Sequence, residues 1–151
     1  MHKIINIVSG DSGAPFTSLT LPFEKRQICR QRVTLDNGEE ASLTVDRGSV
    51  LRHGDLLQTE DGQLIKICAA DESVSTVISN NPLLLARACY HLGNRHVSLE
   101  IREGRIRYLH DHVLDDMVRE LGLSVVAEQA PFEPEAGAYS SGHGHGHGHS
   151  H

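Results

Sequence analysis

The chain has 151 residues, which is enough for one medium domain or two small ones, and it carries a formal net charge of −6 with an isoelectric point near 6.0. This acidic balance argues against nucleic-acid binding, which needs a clustered basic surface. No apolar run approaches the roughly 20 residues that cross a bilayer, and the first residues lack the apolar stretch of a signal peptide. We therefore expect a cytoplasmic protein with no nucleic-acid or membrane partner.

The first 70 residues have the pattern of short strands. Residues 28–45 alternate around the turn signal Asp36-Asn37-Gly38 and so predict a hairpin. Residues 56–67 predict a second hairpin around Glu60-Asp61-Gly62. Because no helical periodicity is evident, we predict a small all-β domain at residues 1–70.

The pattern changes near residue 72, where a strand and then a helix are predicted. Residues 74–78 alternate as a strand does, and Asn81-Pro82 offers a helix start with proline at the first helical position. Apolar residues fall on one face of this helix up to Leu92, and Gly93 can end it in the left-handed conformation.

A hairpin, a second helix and a last strand complete this half. Residues 97–108 alternate around Glu103-Gly104, and Asp111 is a good N-cap for a helix that ends at Gly122. Residues 124–128 supply the last strand. The order βαββαβ predicts a ferredoxin-like domain at residues 71–129, and hence an α+β chain.

After Glu128 we expect order to end, so that residues 130–151 form a flexible acidic and histidine-glycine tail. Five of the eleven histidines lie in the last nine residues and alternate with glycine, unlike the uninterrupted run of a purification tag. Glycine leaves the backbone free, so neighbouring imidazoles can converge on one ion, and imidazole suits nickel, copper and zinc. The candidate ligands are His143, His145, His147, His149 and His151.

The other histidines and the cysteines differ in what they indicate. His91 lies near a helix end, where a histidine bonds the last carbonyls, so we favour a structural role. His110-Asp111-His112 puts two imidazoles and a carboxylate in three residues, a spacing that fits metal binding and a capping aspartate with two solvated histidines equally well. The histidine tail on the same domain favours metal binding. One His96 offers a single donor, and a two-fold dimer would supply a second. The cysteines are odd in number, form no CxxC pair and lie among apolar residues, which favours buried thiols at Cys29, Cys68 and Cys89.

Three longer segments resemble signatures of one family, the urease accessory protein UreE. They are ACYHLGNRH at residues 88–96, RYLHDHVLDDM at residues 107–117, and APFEPEAGAY at residues 130–139, followed by the histidine-rich end. The resemblance extends over essentially the whole chain and is looser over the first 70 residues.

The resemblance implies a homodimeric nickel metallochaperone, not an enzyme, with a polypeptide-binding β domain and a metal-binding ferredoxin-like domain. It maps the nickel ligand of the dimer interface onto His96, accessory metal positions onto His110 and His112, and tail ligands onto the five histidines of residues 143–151. The cargo it implies is Ni²⁺, for which Cu²⁺ or Zn²⁺ can compete. The implied partners are the urease apoprotein and its accessory proteins, including a GTPase, which fits a chain that has no phosphate-binding loop of its own.

Two other classes of protein remain open from the residues. A nickel storage or buffering protein would use the same ligands and need no partner. A metallohydrolase could use His110, Asp111 and His112 around an activated water, although the chain has no HExxH motif.

Overall fold

The structure, a computed structural model, describes residues 1–9 and 12–136, which form two compact units. The first unit comprises Met1–Ala70 and the second Asp71–Glu135. The first is mostly strand and the second mixes strands with helices, so the predicted α+β class and two-unit organisation are confirmed. Within the described residues, no helix has the length and apolarity that a membrane-spanning helix needs.

The first unit is built on one six-stranded sheet with the order β2-β6-β5-β1-β4-β3. Its elements are β1 (His2–Val8), β2 (Thr17–Leu21), the four-residue helix α1 (Phe23–Arg26), β3 (Arg30–Thr34), β4 (Glu40–Thr44), β5 (Leu56–Thr59) and β6 (Leu64–Ala69).

Both predicted hairpins of this unit are confirmed. Strand β3 pairs antiparallel with β4, and β5 pairs antiparallel with β6. Gly38 and Gly62 occupy the turns with φ of 91° and 86°, a conformation that side chains with a Cβ rarely adopt. The parallel pairs β1/β4 and β2/β6 were not predicted, because they join segments that are distant in the chain.

Asp36 fastens the first of these turns to β2. Its carboxylate accepts hydrogen bonds from the Ser18 hydroxyl at 2.5 Å and the Thr20 hydroxyl at 2.7 Å. Burial acts to raise the pKa of Asp36, but these hydrogen bonds outweigh it, and the pKa lies below its usual value. The charged carboxylate therefore stabilises the contact between the turn and the sheet.

The second unit is a four-stranded sheet with two helices. Its elements are β7 (Asp71–Ile78), α2 (Pro82–Asn94), β8 (Glu100–Arg102), β9 (Arg105–Leu109), α3 (His112–Glu120) and β10 (Val126–Pro131). The strand order is β10-β7-β9-β8, and every neighbouring pair is antiparallel. The core lies between sheet and helices, where Val77, Leu92, Tyr108 and Val118 are almost fully buried.

Local signals place both helix starts as predicted. The Asn81 side chain accepts hydrogen bonds from the backbone N–H groups of Leu83 and Leu84. The Asp111 carboxylate does the same for the second and third residues of α3. Each cap satisfies donors that the helix itself cannot pair.

Several predicted boundaries in this unit are wrong. Helix α2 does not end at Gly93, which is helical, but runs to Asn94, and the residue with the left-handed backbone after it is His96. Strand β8 begins at Glu100, not near Val97. Order does not end at Glu128, because β10 continues to Pro131 and the Phe132 side chain is fully buried. The proline and acid content suggested a solvated segment, whereas backbone pairing with β7 and the buried Phe132 ring bind it to the unit.

Candidate metal-binding site

His96 lies just beyond the end of α2, in a backbone conformation unusual for its residue type. Its φ is 60°, and it is the one described residue other than glycine with a positive φ. The backbone N–H of His96 donates to the Gly93 carbonyl at 2.9 Å, which closes the last turn of the helix. The residue is exposed, so its imidazole is available at the surface of the unit.

His110 lies between β9 and α3, where it contacts a buried polar cluster. Its Nδ1 atom is 3.1 Å from the Ser75 hydroxyl oxygen and 3.1 Å from Asp115 Oδ2. The Ser75 hydroxyl donates to Asp115 Oδ1 at 2.6 Å, and the Tyr108 hydroxyl donates to the same oxygen at 2.7 Å. We name Ser75, Tyr108 and Asp115 the carboxylate cluster.

The carboxylate cluster is buried, while the histidine that contacts it is not. The Asp115 side chain is 3% exposed and the His110 side chain 39% exposed. Burial and then the hydrogen bond to Asp115 raise the pKa of Tyr108 above its usual value, so its hydroxyl keeps its proton and donates it. The Nδ1 edge of the His110 ring therefore contacts the buried carboxylate cluster, while the rest of the side chain is partly exposed to solvent.

The remaining histidines of this unit are exposed. His112 is the first residue of α3, next to the capping Asp111. His91 packs edge-on against the Tyr90 ring with centroids 5.1 Å apart, at the solvent side of α2.

The segment after β10 is bound to the start of β8. The backbone N–H of Glu133 donates to Glu100 Oε1 at 2.8 Å, and the N–H of Glu135 donates to the Leu99 carbonyl at 2.8 Å. Glu100 is itself buried and pairs with Arg105 at 2.6 Å. The chain that leads to the histidine-rich end is therefore bound to the backbone of Leu99, which follows His96 by three residues in the sequence.

Comparison with known proteins identifies the family. The family model for the N-terminal domain of the UreE urease accessory protein matches residues 1–70, and that for its C-terminal domain matches residues 72–151. This chain belongs to the UreE family of urease accessory proteins. The resemblance read from the sequence is thereby confirmed.

Individual relatives in the UreE family are similar over most of their length. A urease accessory protein UreE from Alkalilimnicola ehrlichii is 62% identical over 81% of this chain and 75% of its own length. One from Pseudomonas putida is 60% identical over 82% and 78%, and one from Enterobacter sp. is 56% identical over 87% and 88%.

The described part of this UreE chain does not bring the predicted ligands into one preformed centre. Among residues 1–9 and 12–136, no three side chains of histidine, cysteine, aspartate or glutamate form a group that could hold an ion. His96, His110 and His112 are all exposed on the second unit. The five tail histidines lie outside the described residues.

The carboxylate cluster was not predicted from the sequence. Asp115 and Asp116 are neighbouring acids near the start of α3, yet Asp115 is buried and Asp116 is exposed. A signal existed, because Asp115 lies three residues before the core residue Val118 and so shares its face of α3. An acid on the apolar face of a helix needs buried partners, and Ser75 and Tyr108 supply them.

Proposed function

We propose that this UreE chain is a nickel-binding metallochaperone that delivers Ni²⁺ to the urease activation complex and catalyses no reaction. The donors we assign are His96, His110 and His112 on the second unit and the five histidines of residues 143–151. The observation that carries the proposal is the hydrogen bond from the Glu135 N–H to the Leu99 carbonyl at 2.8 Å. It joins the base of the histidine-rich segment to the neighbourhood of His96.

Chain geometry supports a shared site for His96 and the tail. Leu99 is three residues from His96, so their Cα atoms lie within about 11 Å. The eight residues from Glu135 to His143 can span up to about 28 Å. The first tail imidazole can therefore reach His96, and the tethering raises its effective concentration there.

We further propose that two copies of the chain meet through the second unit with their His96 side chains facing each other. Nickel takes about four to six donors, and one His96 supplies one. Leu83 and Tyr90, seven residues apart on the same face of α2, are 60% and 67% exposed. Tyr90 lies six residues before His96 and Leu83 lies near the other end of the helix, and exposed apolar side chains such as these are suited to a symmetric contact between copies.

Delivery by such a site requires ligand exchange. Surface imidazoles can be replaced one at a time by the ligands of a recipient, so the ion is never without donors. We propose that the recipients are the urease apoprotein and its accessory proteins, including the GTPase, and that this exchange takes place in the cytoplasm.

We assign the second unit, predicted as residues 71–129 and extended by β10 to Pro131, to the ferredoxin-like fold, and residues 1–70 to polypeptide binding. The strand order β10-β7-β9-β8, with one helix inside each β-α-β half, supports the first assignment. Ile5 and Ile7 on β1 are 43% and 38% exposed, which supports the second, since neighbouring exposed apolar side chains favour contact with another chain.

Urease activation at limiting Ni²⁺ tests the assignment. We expect His96→Ala to reduce activation more than deletion of residues 142–151, because His96 is held on an ordered element while the tail donors are interchangeable. His91→Ala is the matched control, since His91 is exposed in the last turn of the helix that precedes His96 and is assigned no metal. Equal or better activation by His96→Ala than by the deletion would move the primary site to the tail.

A transfer experiment separates the carrier from the nickel store. The Ni²⁺-loaded chain is mixed with the urease accessory proteins, and the ion is followed after the proteins are separated. A carrier forms a complex with them and passes on its nickel. A chain that binds nickel yet forms no complex with them is a store.

A further inference from the structure

We propose that Asp115, assisted by Ser75, is a positioning residue that keeps the proton of the His110 imidazole on Nδ1 and so presents Nε2 to a metal ion. The inference rests on the proposed function, in which His110 is a nickel ligand. It adds a buried residue with no surface of its own to the metal site.

The donors and acceptors around His110 determine which ring nitrogen carries the proton. The two oxygens near His110 Nδ1 belong to Ser75 and Asp115, each at 3.1 Å. A carboxylate oxygen can only accept, and the single Ser75 proton is used in the 2.6 Å bond to Asp115 Oδ1. Both oxygens therefore offer lone pairs, so Nδ1 must be the donor. In the neutral ring the free lone pair is then on Nε2.

The opposite tautomer would fit this site poorly. With the proton on Nε2, the Nδ1 lone pair would face Asp115 Oδ2 at 3.1 Å with no hydrogen between them. Ser75 could donate to Nδ1 only by withdrawing its proton from Asp115. The carboxylate, which is 3% exposed, would then lose two of its partners at once.

The positioning group is held by ordered elements. Ser75 is fully buried on β7, an inner strand of the sheet, and Asp115 lies in the first turn of α3, where the helix dipole favours a carboxylate. Tyr108 donates to Asp115 from β9 at 2.7 Å. The backbone N–H of His110 donates to the Ser73 carbonyl at 3.0 Å, which fixes the residue that carries the ring.

This arrangement matches a general requirement of metal-binding imidazoles. Such a ring donates its second N–H to a carboxylate or carbonyl, which sets its tautomer and orientation and increases its basicity as a ligand. The His110 side chain is 39% exposed, so the edge opposite the carboxylate cluster is open to an incoming ion.

The test is Asp115→Asn in the full-length chain. The carboxamide oxygen can still accept from Tyr108 and Ser75, while its NH₂ group replaces Oδ2 beside His110 Nδ1. Nδ1 must then accept a hydrogen bond from this NH₂ group, so the ring proton moves to Nε2. Nε2 then has no lone pair with which to bind a metal ion. Two-bond ¹H–¹⁵N spectra of histidine-labelled protein at pH 8 report the protonation and the tautomer of each ring.

The spectra are recorded during a titration with Ni²⁺ alone. We expect the wild-type His110 ring to be protonated on Nδ1 and to respond to Ni²⁺ at Nε2. In Asp115→Asn the tautomer should reverse, and the Ni²⁺ concentration for half-response at His110 should rise about 10- to 100-fold. Asp116→Asn is the matched control, since its side chain is 71% exposed and pairs with Arg119. It should match the wild type.

Several results would overturn the inference. If the His110 ring of the wild type is protonated on Nε2, the inference is wrong and no variant is needed to show it. The inference is also wrong if Asp115→Asn binds Ni²⁺ at His110 with the same affinity as the wild type. Ser75→Ala should retain the Nδ1 proton because Asp115 remains, and a reversed tautomer there would assign the role to Ser75. Nickel binding at His96 without any response at His110 refutes this inference alone, whereas no response at any histidine refutes the proposed function.

Discussion

Replacing Phe132 by alanine tests whether the segment after β10 belongs to the second unit. The side chain is 0% exposed, and a Phe→Ala change at a buried site costs about 3–5 kcal/mol of unfolding free energy. The second unit is small, so this loss is a large fraction of its unfolding free energy. For a domain of that size each kcal/mol lowers the melting temperature by roughly 4–8 °C, so we expect a fall of roughly 12 °C or more.

Two backbone hydrogen bonds should be lost with the ring. The Glu133 and Glu135 N–H groups donate to Glu100 and Leu99, at 2.8 Å each, and the fully buried Phe132 ring directly precedes them in the chain. Hydrogen exchange at these two amides should therefore accelerate in Phe132→Ala. The base of the histidine-rich segment would then no longer be bound beside His96.

Chemical and thermal unfolding followed by circular dichroism, together with exchange at the two amides, measures both effects. Val126→Ala is the control, because Val126 lies on the same β10 strand and is 59% exposed, and its loss should change unfolding by no more than about 0.5 kcal/mol. If Phe132→Ala unfolds within about 1 kcal/mol of the wild type and both amides stay protected, the segment does not depend on this ring and our reasoning is wrong.

Three further predictions concern single side chains. Glu100→Gln should cost about 3–5 kcal/mol of unfolding free energy, because it removes a buried carboxylate from two partly buried arginine partners. Glu128→Gln at a 40% exposed site should cost at most about 1 kcal/mol, and urea titration compares the two. Asp36→Asn should destabilise the chain at neutral pH and progressively less as the pH falls below about 3.8, the ordinary aspartate value, because the native contacts stabilise only the charged carboxylate. Asp46→Asn at an exposed site is the control and should change the unfolding free energy by no more than about 0.5 kcal/mol. In the absence of metal, His96→Gly should be about 1 kcal/mol more stable than His96→Ala, because alanine is strained at positive φ and glycine is not. Equal melting temperatures would contradict this.

Much of the second unit could be predicted because its signals are local. Asn81 and Asp111 are caps whose partners lie two or three residues away, and Gly104 turns between adjacent strands with φ of 74°. Such features are visible in a short window of sequence. The βαββαβ order of elements follows from them.

The features that could not be predicted depend on partners that are distant in the chain. Strand β1 pairs parallel with β4, and no local pattern announces that pairing. Arg26 is fully buried because its Nη1 donates to the Leu51 carbonyl at 3.1 Å, although arginine is usually an exposed residue. The Ser75 hydroxyl donates a hydrogen bond to Asp115, which lies 40 residues further along the sequence. The candidate ligands could be named from the sequence, whereas the groups that orient one of them could not.

In the function that we propose, the backbone at His96 sets the stability of the chain against its capacity to bind nickel. A φ of 60° suits glycine, which tolerates it at no steric cost, so an imidazole at this position is maintained against the preference of the fold. A screen that rewards heat resistance alone would be expected to enrich glycine here and return proteins that survive longer yet bind less nickel. Anyone engineering a more robust version of this chain should therefore hold position 96 fixed and look for stability elsewhere.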